Sequence, residues 1–343
     1  MLKQRSYQLL LSTIAACVVV GILYAYSNRL MSQENGFIRL LPSHKLVGDN
    51  SFDIKYNSWY ISGIHGNNIY LGNNVLPGHV FQVNRRLNRY KEFNLSGFEN
   101  LSIHRGAQFQ IDSPYIYLMD GIKGIILKGS LDSFHLNRVI KTAYFTGVIP
   151  CIDNSFMLRS VYLDSGNVLV KQFKDSNLIR TSLLHKQVDG VFCTDGEMVK
   201  IPGSSKMIYV YYYRNQILCA DSNLNLLYKG KTIDTISRAK IKVAKIASTG
   251  ETTMAAPPLL VNKRACANEK YLFVQSALRA NNETEYMIKD VSMIDVYAIV
   301  DGKYQFSFYL PDFRGFKVRD FKVYGQSLYA LYDHYLYKYQ LNF

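Results

Sequence analysis

Six segments of this 343-residue chain share one pattern, and that pattern limits the fold more than any other feature of the sequence. Each segment opens with a turn-like polar pair, continues as a short apolar run, and passes through a turn into a second apolar run. The first runs begin near six positions: Ile69, Ile116, Phe156, Ile208, Leu272 and Leu328. Hairpin units that recur every ~40–50 residues, with longer spacings absorbed as loops, are typical of a propeller. The sequence therefore predicts an all-β, six-bladed β-propeller.

The last segment indicates how the ring closes. Within "SLYALYDHYLYKYQLNF" (327–343), the residues from Tyr335 to Leu341 alternate between two faces, which is the period of a strand. Asp333-His334 supplies the turn of a hairpin, and the tyrosines suit a half-buried sheet surface or, alternatively, a stacking platform for a flat ligand. Because an unpaired edge invites aggregation, we expect "GFIRLL" (36–41) or "FDIKY" (52–56) to supply the missing strand of the last blade.

The N-terminal stretch predicts a membrane anchor. Residues 6–28, "SYQLLLSTIAACVVVGILYAYSN", carry no charge. As a helix this stretch would be ~35 Å long, and the hydrocarbon core of a bilayer is ~30 Å thick. Lys3 and Arg5 precede it, which favours a cytoplasmic N-terminus and an exported body. We expect a signal anchor at residues 1–29, a linker or closing strand at 30–49, and the propeller at 50–343.

Two other interpretations of the N-terminus remain open. Ala25-Tyr26-Ser27 resembles a signal-peptidase site, and cleavage there would release a secreted protein. Ile14-Ala15-Ala16-Cys17 resembles a lipoprotein box, although Val18 to Tyr26 stays apolar after it. All of these interpretations export residues 30–343. The predicted location is therefore the cell membrane, by a single pass, with the bulk of the chain extracytoplasmic (periplasmic), and nucleic acid is not expected as a partner.

The chain is basic, with 40 Lys and Arg against 26 Asp and Glu and a net charge of +14. Such a surface suits nucleic acid, an anionic membrane or an acidic polymer. The densest group of cations is Arg85, Arg86, Arg89 and Lys91, in a loop-like stretch. A solvated loop accounts for this group as well as a ligand does.

Segments such as "NNIYLGNNVLPGHVFQVN" (67–84) and "SPYIYLMDGIKGIILKG" (113–129) resemble the units of the six-bladed TolB-like/NHL-like propeller superfamily. The resemblance extends over about residues 50–343 and rests on unit length and strand pattern. It applies in particular to membrane-anchored, uncharacterised bacterial members of the superfamily. It implies an exported scaffold that binds a protein, a peptide or a glycan. It does not imply one activity, because such folds host many functions.

In a propeller the innermost strand of each blade lines the central channel, and these strands should lie just before the six apolar runs. This placement predicts ten channel-lining residues: His65, Gln110, Asp112, Cys151, Asp153, Cys193, Asp195, Cys266, Asp320 and Lys322. Glu197, Arg264 and Arg319 lie in the same segments. Three of these positions are cysteines, which suit either a thiol or metal site or the crowded packing of inner strands. Cys219 is a fourth cysteine outside the anchor, so disulfides and isolated buried thiols are both open.

No catalytic constellation is legible in the sequence. It contains no G-x-S-x-G, H-E-x-x-H or P-loop, and it implies no catalytic residue, cofactor or metal. The leading hypothesis is a binding scaffold rather than an enzyme. One alternative is a cation-dependent hydrolase of the lactonase type, with Asp112, Asp153, Asp195 and Glu197 near a channel cation. Another is a redox-linked accessory protein that uses Cys151, Cys193 and Cys266.

Overall fold

The computed structural model describes residues 2–31, 35–43, 45–162, 165–173, 176–248 and 252–343. A long helix, α1 (Leu2–Met31), precedes a β-rich body that also contains one helical turn, α2 (Glu285–Ile288). Within these residues six four-stranded antiparallel sheets are present, each of them one blade. The predicted all-β, six-bladed propeller is confirmed.

The first three blades follow the chain without interruption. Blade 1 contains β2 (Trp59–His65), β3 (Asn68–Asn73), β4 (His79–Asn84) and β5 (Tyr90–Asn94). Blade 2 contains β6 (Gln108–Asp112), β7 (Tyr115–Asp120), β8 (Ile125–Ser130) and β9 (His135–Lys141). Blade 3 contains β10 (Gly147–Pro150), β11 (Phe156–Tyr162), β12 (Gly166–Gln172) and β13 (Asn177–Arg180).

The second half of the ring includes an insertion and the closing strand. Blade 4 contains β14 (Gly196–Lys200), β15 (Met207–Tyr211), β16 (Gln216–Ala220) and β17 (Leu226–Lys231). A two-stranded sheet of β18 (Val243–Lys245) and β19 (Thr252–Met254) comes before blade 5. Blade 5 contains β20 (Asn262–Ala267), β21 (Tyr271–Ser276), β22 (Val291–Ala298) and β23 (Tyr304–Pro311). Blade 6 contains β24 (Val318–Tyr324), β25 (Ser327–Tyr332), β26 (Tyr335–Leu341) and β1 (Leu46–Asp53).

The ring has two faces, which differ in their connections. The first strand of each blade is innermost, as contacts between β2, β6 and β24 illustrate. Because neighbouring strands are antiparallel, turns between the first and second strands and between the third and fourth strands lie on one face, here called the hairpin face. Turns between the second and third strands and the connections between blades lie on the other, here called the crossover face.

Each second strand is packed between neighbouring blades. All residues of β15 and β25 are buried, and β3, β7, β11 and β21 are buried along most of their length. Strands covered on both sides are apolar on both sides. This covering explains why the six predicted runs coincide with β3, β7, β11, β15, β21 and β25.

An N-terminal strand closes the ring, as predicted. This strand is neither 36–41 nor the whole of 52–56. β1 pairs antiparallel with β26, from Leu46 opposite Leu341 to Asp53 opposite Tyr335. Only the first two residues of "FDIKY" belong to it. β1 also crosses the boundary that the sequence places at residue 50. It covers the edge of β26, and its register shifts between Gly48 and Asn50.

The segment "GFIRLL" is bound to blade 5 instead. Residues 35–41, here called the strap, run from the crossover face along β23 towards β1. Asn281 donates its N–H to the Phe37 carbonyl at 2.8 Å, and Ser307 donates its N–H to the Leu40 carbonyl at 2.8 Å. Arg39 explains this position: it is buried and contacts two carboxylates of blade 5 that no N-terminal strand on β26 would reach.

The tyrosines of the C-terminal hairpin pack inside the sheet. Tyr329 and Tyr332 are fully buried, in the cores that join blade 6 to blades 1 and 5 respectively. The Tyr332 hydroxyl lies 2.9 Å from the Tyr339 hydroxyl and donates to the Pro311 carbonyl at 2.9 Å. Tyr337 packs against Phe313 with ring centroids 4.9 Å apart. These contacts favour the packing interpretation over the stacking platform.

Helix α1 extends over the predicted anchor. The apolar side chains described between Leu10 and Leu23 are 53 to 64 % exposed. Among the residues whose placement the structure describes, no helix has the length and apolarity needed to cross a membrane.

Candidate functional site: the central channel

Six of the ten predicted channel residues lie on innermost strands. His65 ends β2, Gln110 and Asp112 lie on β6, Cys266 lies on β20, and Asp320 and Lys322 lie on β24. The other four predicted residues lie just outside an innermost strand. Cys151 and Asp153 follow β10, and Cys193 and Asp195 precede β14.

At the hairpin end of the channel one lysine joins three blades. Lys200, the last residue of β14, places its Nζ 2.6 Å from an Asp112 carboxylate oxygen of blade 2. The same Nζ donates to the Pro150 carbonyl of blade 3 at 3.0 Å. Both side chains are less than one third exposed, so water screens this pair only in part. The predicted Asp112 is therefore engaged with a cation that the sequence did not single out.

A second charged group lies on β24. Asp320 accepts the Ile61 N–H of blade 1 at 2.9 Å, which ties the innermost strands of blades 6 and 1 together. Burial alone would lower the pKa of the Lys322 ammonium, but the nearby carboxylates of Asp320 and Glu197 outweigh it and raise that pKa. Lys322 is thus held as a cation between carboxylates of blades 6 and 4.

Glu197 also contacts a tyrosine. The Tyr212 hydroxyl donates to Glu197 Oε2 at 3.0 Å. Burial, together with the carboxylates of Glu197 and Asp195, raises the pKa of Tyr212 well above its usual value. The hydroxyl therefore remains a neutral donor at physiological pH.

Asp195 and Asp153 each pair with a cation from a neighbouring strand. Asp195 lies 2.6 Å from Arg159 Nη1, which also donates to the Gly196 carbonyl at 2.5 Å and the Tyr209 hydroxyl at 3.0 Å. Asp153 lies 2.8 Å from Lys171 Nζ. Partial burial would raise the pKa of Asp153, but hydrogen bonds from Lys171 and Ser155 lower it below the usual range.

The structure does not bring the cysteines together. Cys151 packs in the core shared by blades 3 and 4, Cys193 packs against Ala239 and Ile241, and Cys266 packs in the core shared by blades 5 and 6. All five cysteines lie within the described residues, and each is a free thiol. Burial raises the pKa of the Cys151 thiol, and it raises that of Cys266 to about 12. The prediction that three cysteines lie on innermost strands holds for Cys266 alone.

The other two predicted residues differ in exposure. His65 is exposed at the end of β2, and Gln110 is half-buried on β6. Across the described parts of the chain, no group of three or more His, Cys, Asp and Glu side chains is arranged to hold a metal ion.

The sequence analysis did not identify the three cations that form ion pairs with the predicted carboxylates: Lys171, Lys200 and Arg159. Lys200 could have been found, because it lies three residues after Glu197, in the continuation of a segment already assigned to an innermost strand. Lys171 and Arg159 lie on β12 and β11, in runs that are mostly apolar. A buried cation in such a run signals a polar or anionic partner, since an unpaired buried charge is costly.

Comparisons with known proteins find solved structures that share little sequence identity with this chain. No family model matches the chain, and no curated protein matches it. A member of the DUF4221 family from Bacteroides vulgatus has a TM-score of 0.54 at 11% identity, over 87% of this chain and 97% of that one. A Bacteroides fragilis protein thought to be exported has a TM-score of 0.50 at 9% identity, over 90% and 95%. BamB from Moraxella catarrhalis has a TM-score of 0.42 at 10% identity, over 87% and 98%.

Proposed function

We propose that this protein is a membrane-anchored, extracytoplasmic β-propeller that acts as a binding scaffold for a protein, peptide or glycan partner. Its unit length and strand pattern support a place near the TolB-like/NHL-like propellers. One observation carries the proposal. The charged side chains around the channel are engaged with one another across blades, as Asp112–Lys200 and Asp195–Arg159 illustrate.

Engaged charges of this kind hold blades in register. A cation bound by Asp112, Asp153 or Asp195 would first have to displace the ammonium or guanidinium group that each carboxylate already contacts. General acid–base work requires a group poised to exchange protons near the working pH. The raised pKa values of Tyr212 and Lys322 move both groups away from that range. The channel thus supports a rigid scaffold better than a hydrolase.

The thiols also fit a scaffold better than a redox protein. Thiolates are the reactive form of cysteine, and reactive cysteines are exposed in electropositive surroundings. Cys151 and Cys266 are instead buried, with their pKa values raised.

The anchor is supported by the uncharged residues 6–28 and by the exposed apolar side chains of α1. Exposed apolar surface of this extent marks contact with a membrane or a partner. Four residue steps separate Met31, the last residue of α1, from Asn35, the first residue of the strap. The end of α1 therefore lies at most about 15 Å from the strap. The strap begins where Asn35 donates to the Arg279 carbonyl on the crossover face of blade 5. An anchored α1 therefore keeps this face close to the bilayer and leaves the hairpin face directed away.

Topology and partner binding are tested separately. A reporter enzyme that is active only outside the cytoplasm is fused after Phe343, and we expect it to be active. A photo-crosslinking residue is then placed at Ile152 on the hairpin face or at Val188 on the crossover face of the full chain; both side chains are exposed. We expect a discrete adduct from Ile152 and little from Val188. A cytoplasmic reporter refutes the anchor, and the absence of adducts from both faces refutes the scaffold.

A further inference from the structure

A cavity of about 440 Å³ opens on the hairpin face of blade 1. Two turns form it, one between β2 and β3 and the other between β4 and β5. Five side chains line it, all of them amides or guanidinium groups: Asn67, Asn84, Arg86, Asn88 and Arg89. A lining without aliphatic or aromatic residues suits a hydrophilic ligand.

The Asn84 side chain fixes the backbone of the β4–β5 turn. The Asn84 side chain accepts the N–H of Asn88 at 3.0 Å and the N–H of Arg89 at 3.2 Å, and it donates to the Asn88 side chain at 2.7 Å. Leu87 is buried with φ +57°, which turns the chain sharply at its centre. The backbone on either side of Leu87 is thereby fixed.

The three arginines of this turn differ in their surroundings. Arg85 is engaged, since its Nε donates to the Tyr329 hydroxyl at 3.1 Å and its guanidinium lies over the Tyr324 ring. Arg86 and Arg89 are exposed, and among the described residues no carboxylate lies within ion-pairing distance of either. Two uncompensated cations thus line one cavity.

We propose that this cavity binds an anionic saccharide, a sugar unit that carries a carboxylate or a phosphate. A guanidinium group matches either anion with two parallel hydrogen bonds. The amides of Asn67 and Asn88, which the turn leaves less engaged than that of Asn84, can hydrogen-bond sugar hydroxyls. The volume falls within the range of small-molecule sites, and the lining has no aromatic ring on which a nucleobase could stack.

This inference names a ligand class for the scaffold and rests on the function proposed above. The cavity lies on the face directed away from the anchor, where a glycan outside the cell membrane could reach it. Binding at the cavity does not require the anchor itself, so the site and the membrane topology can fail independently.

The test uses the full chain in detergent micelles and two anionic probes, trigalacturonate for the carboxylate and glucose 1-phosphate for the phosphate. Maltotriose serves as the neutral control. Binding is measured by titration calorimetry on the unaltered protein, on Arg86→Gln/Arg89→Gln, and on Arg105→Gln/Arg138→Gln. The last variant removes the same charge from two exposed arginines outside the cavity. Protection of Arg86 and Arg89 from phenylglyoxal, read by peptide mass spectrometry, locates the site.

We expect saturable binding of at least one anionic probe, no binding of maltotriose, and about a tenfold or greater loss of affinity in the Arg86/Arg89 variant only. The probe that binds identifies the anion. Equal losses in both variants would show general surface attraction and overturn the proposal. Absence of binding by both anionic probes, or protection elsewhere than Arg86 and Arg89, would overturn it as well. The reporter fusion and the crosslinks at Ile152 test the topology and the scaffold independently of these binding results. Failure of the saccharide site can therefore be distinguished from failure of the scaffold.

Discussion

Replacing Arg39 with Met should release the strap and lower the stability of the whole ring. Arg39 Nη1 lies 2.5 Å from Glu283 Oε2, and its Nε and Nη2 lie 2.7 and 3.2 Å from the two oxygens of Asp295. All three side chains are almost completely buried. Arg39→Met keeps much of the side-chain volume but leaves two carboxylates without their cation.

The expected loss of stability depends on the hydrogen bonds that the two carboxylates keep. Removing one partner of a buried ion pair costs about 3–5 kcal/mol. Asp295 keeps the Ser307 hydroxyl at 2.6 Å, and Glu283 keeps the Ala280 N–H at 2.8 Å, so the lower end applies. Detachment of the strap would let water solvate both carboxylates. It would also expose the Phe37 side chain, which costs about 2 kcal/mol. We therefore expect a loss of about 3 kcal/mol and a melting temperature lower by roughly 5–10 °C.

The assay combines thermal unfolding of the full chain with hydrogen exchange. The Ser307 N–H, which donates to the Leu40 carbonyl, should exchange at least about tenfold faster in Arg39→Met because the strap opens locally. Arg105→Met, at an exposed position, should change neither quantity. Adding Glu283→Gln and Asp295→Asn to Arg39→Met should recover part of the stability. An unchanged melting temperature together with unchanged protection of Ser307 would refute the reasoning.

Three further predictions concern the ring. Lys200→Met should cost about 1–2 kcal/mol in urea unfolding, and Asp112→Asn should cost a similar amount, since each breaks the same half-buried pair; unchanged midpoints would contradict this. Deleting residues 46–53 should abolish the cooperative transition, because β26 loses its edge partner; a retained transition would show that β1 is dispensable. The Cys266 thiol has a pKa of about 12 in the folded protein against 9.0 ordinarily, so the unfolded state loses its proton first and stability should fall between pH 9 and about 12. Cys266→Ala should show a smaller fall over the same pH range.

The sequence was sufficient to locate the blades because the second strands carry an unusually clear signal. A strand such as β15 is covered by neighbouring blades on both sides, so every residue of "MIYVY" is buried and apolar or aromatic. The turn at Asp333-His334 was equally clear, because it separates two fully patterned strands, β25 and β26.

The closing strand was not located because β1 is an outermost strand. Its sequence, "LVGDNSFD", has no apolar alternation, since most of its residues face solvent and its register shifts at Gly48. The segment "GFIRLL" has the stronger pattern but binds blade 5 through Arg39. The partners of Arg39 lie 244 and 256 residues further along the chain, beyond the reach of any local pattern.

The charges of the candidate site follow from the same long-range geometry. Inner strands could be assigned from the sequence, but the partner of Asp112 lies 88 residues away, on the next blade but one around the ring. Buried charges must be matched, because an unpaired ion in a low-dielectric interior is costly. The matched ions of the channel therefore contribute little to the net charge of +14. Arg85 and Arg86 are adjacent in the sequence and look alike there. The fold engages Arg85 with Tyr329 and leaves Arg86 beside a cavity, so of these two neighbours only Arg86 has its guanidinium group free for a ligand.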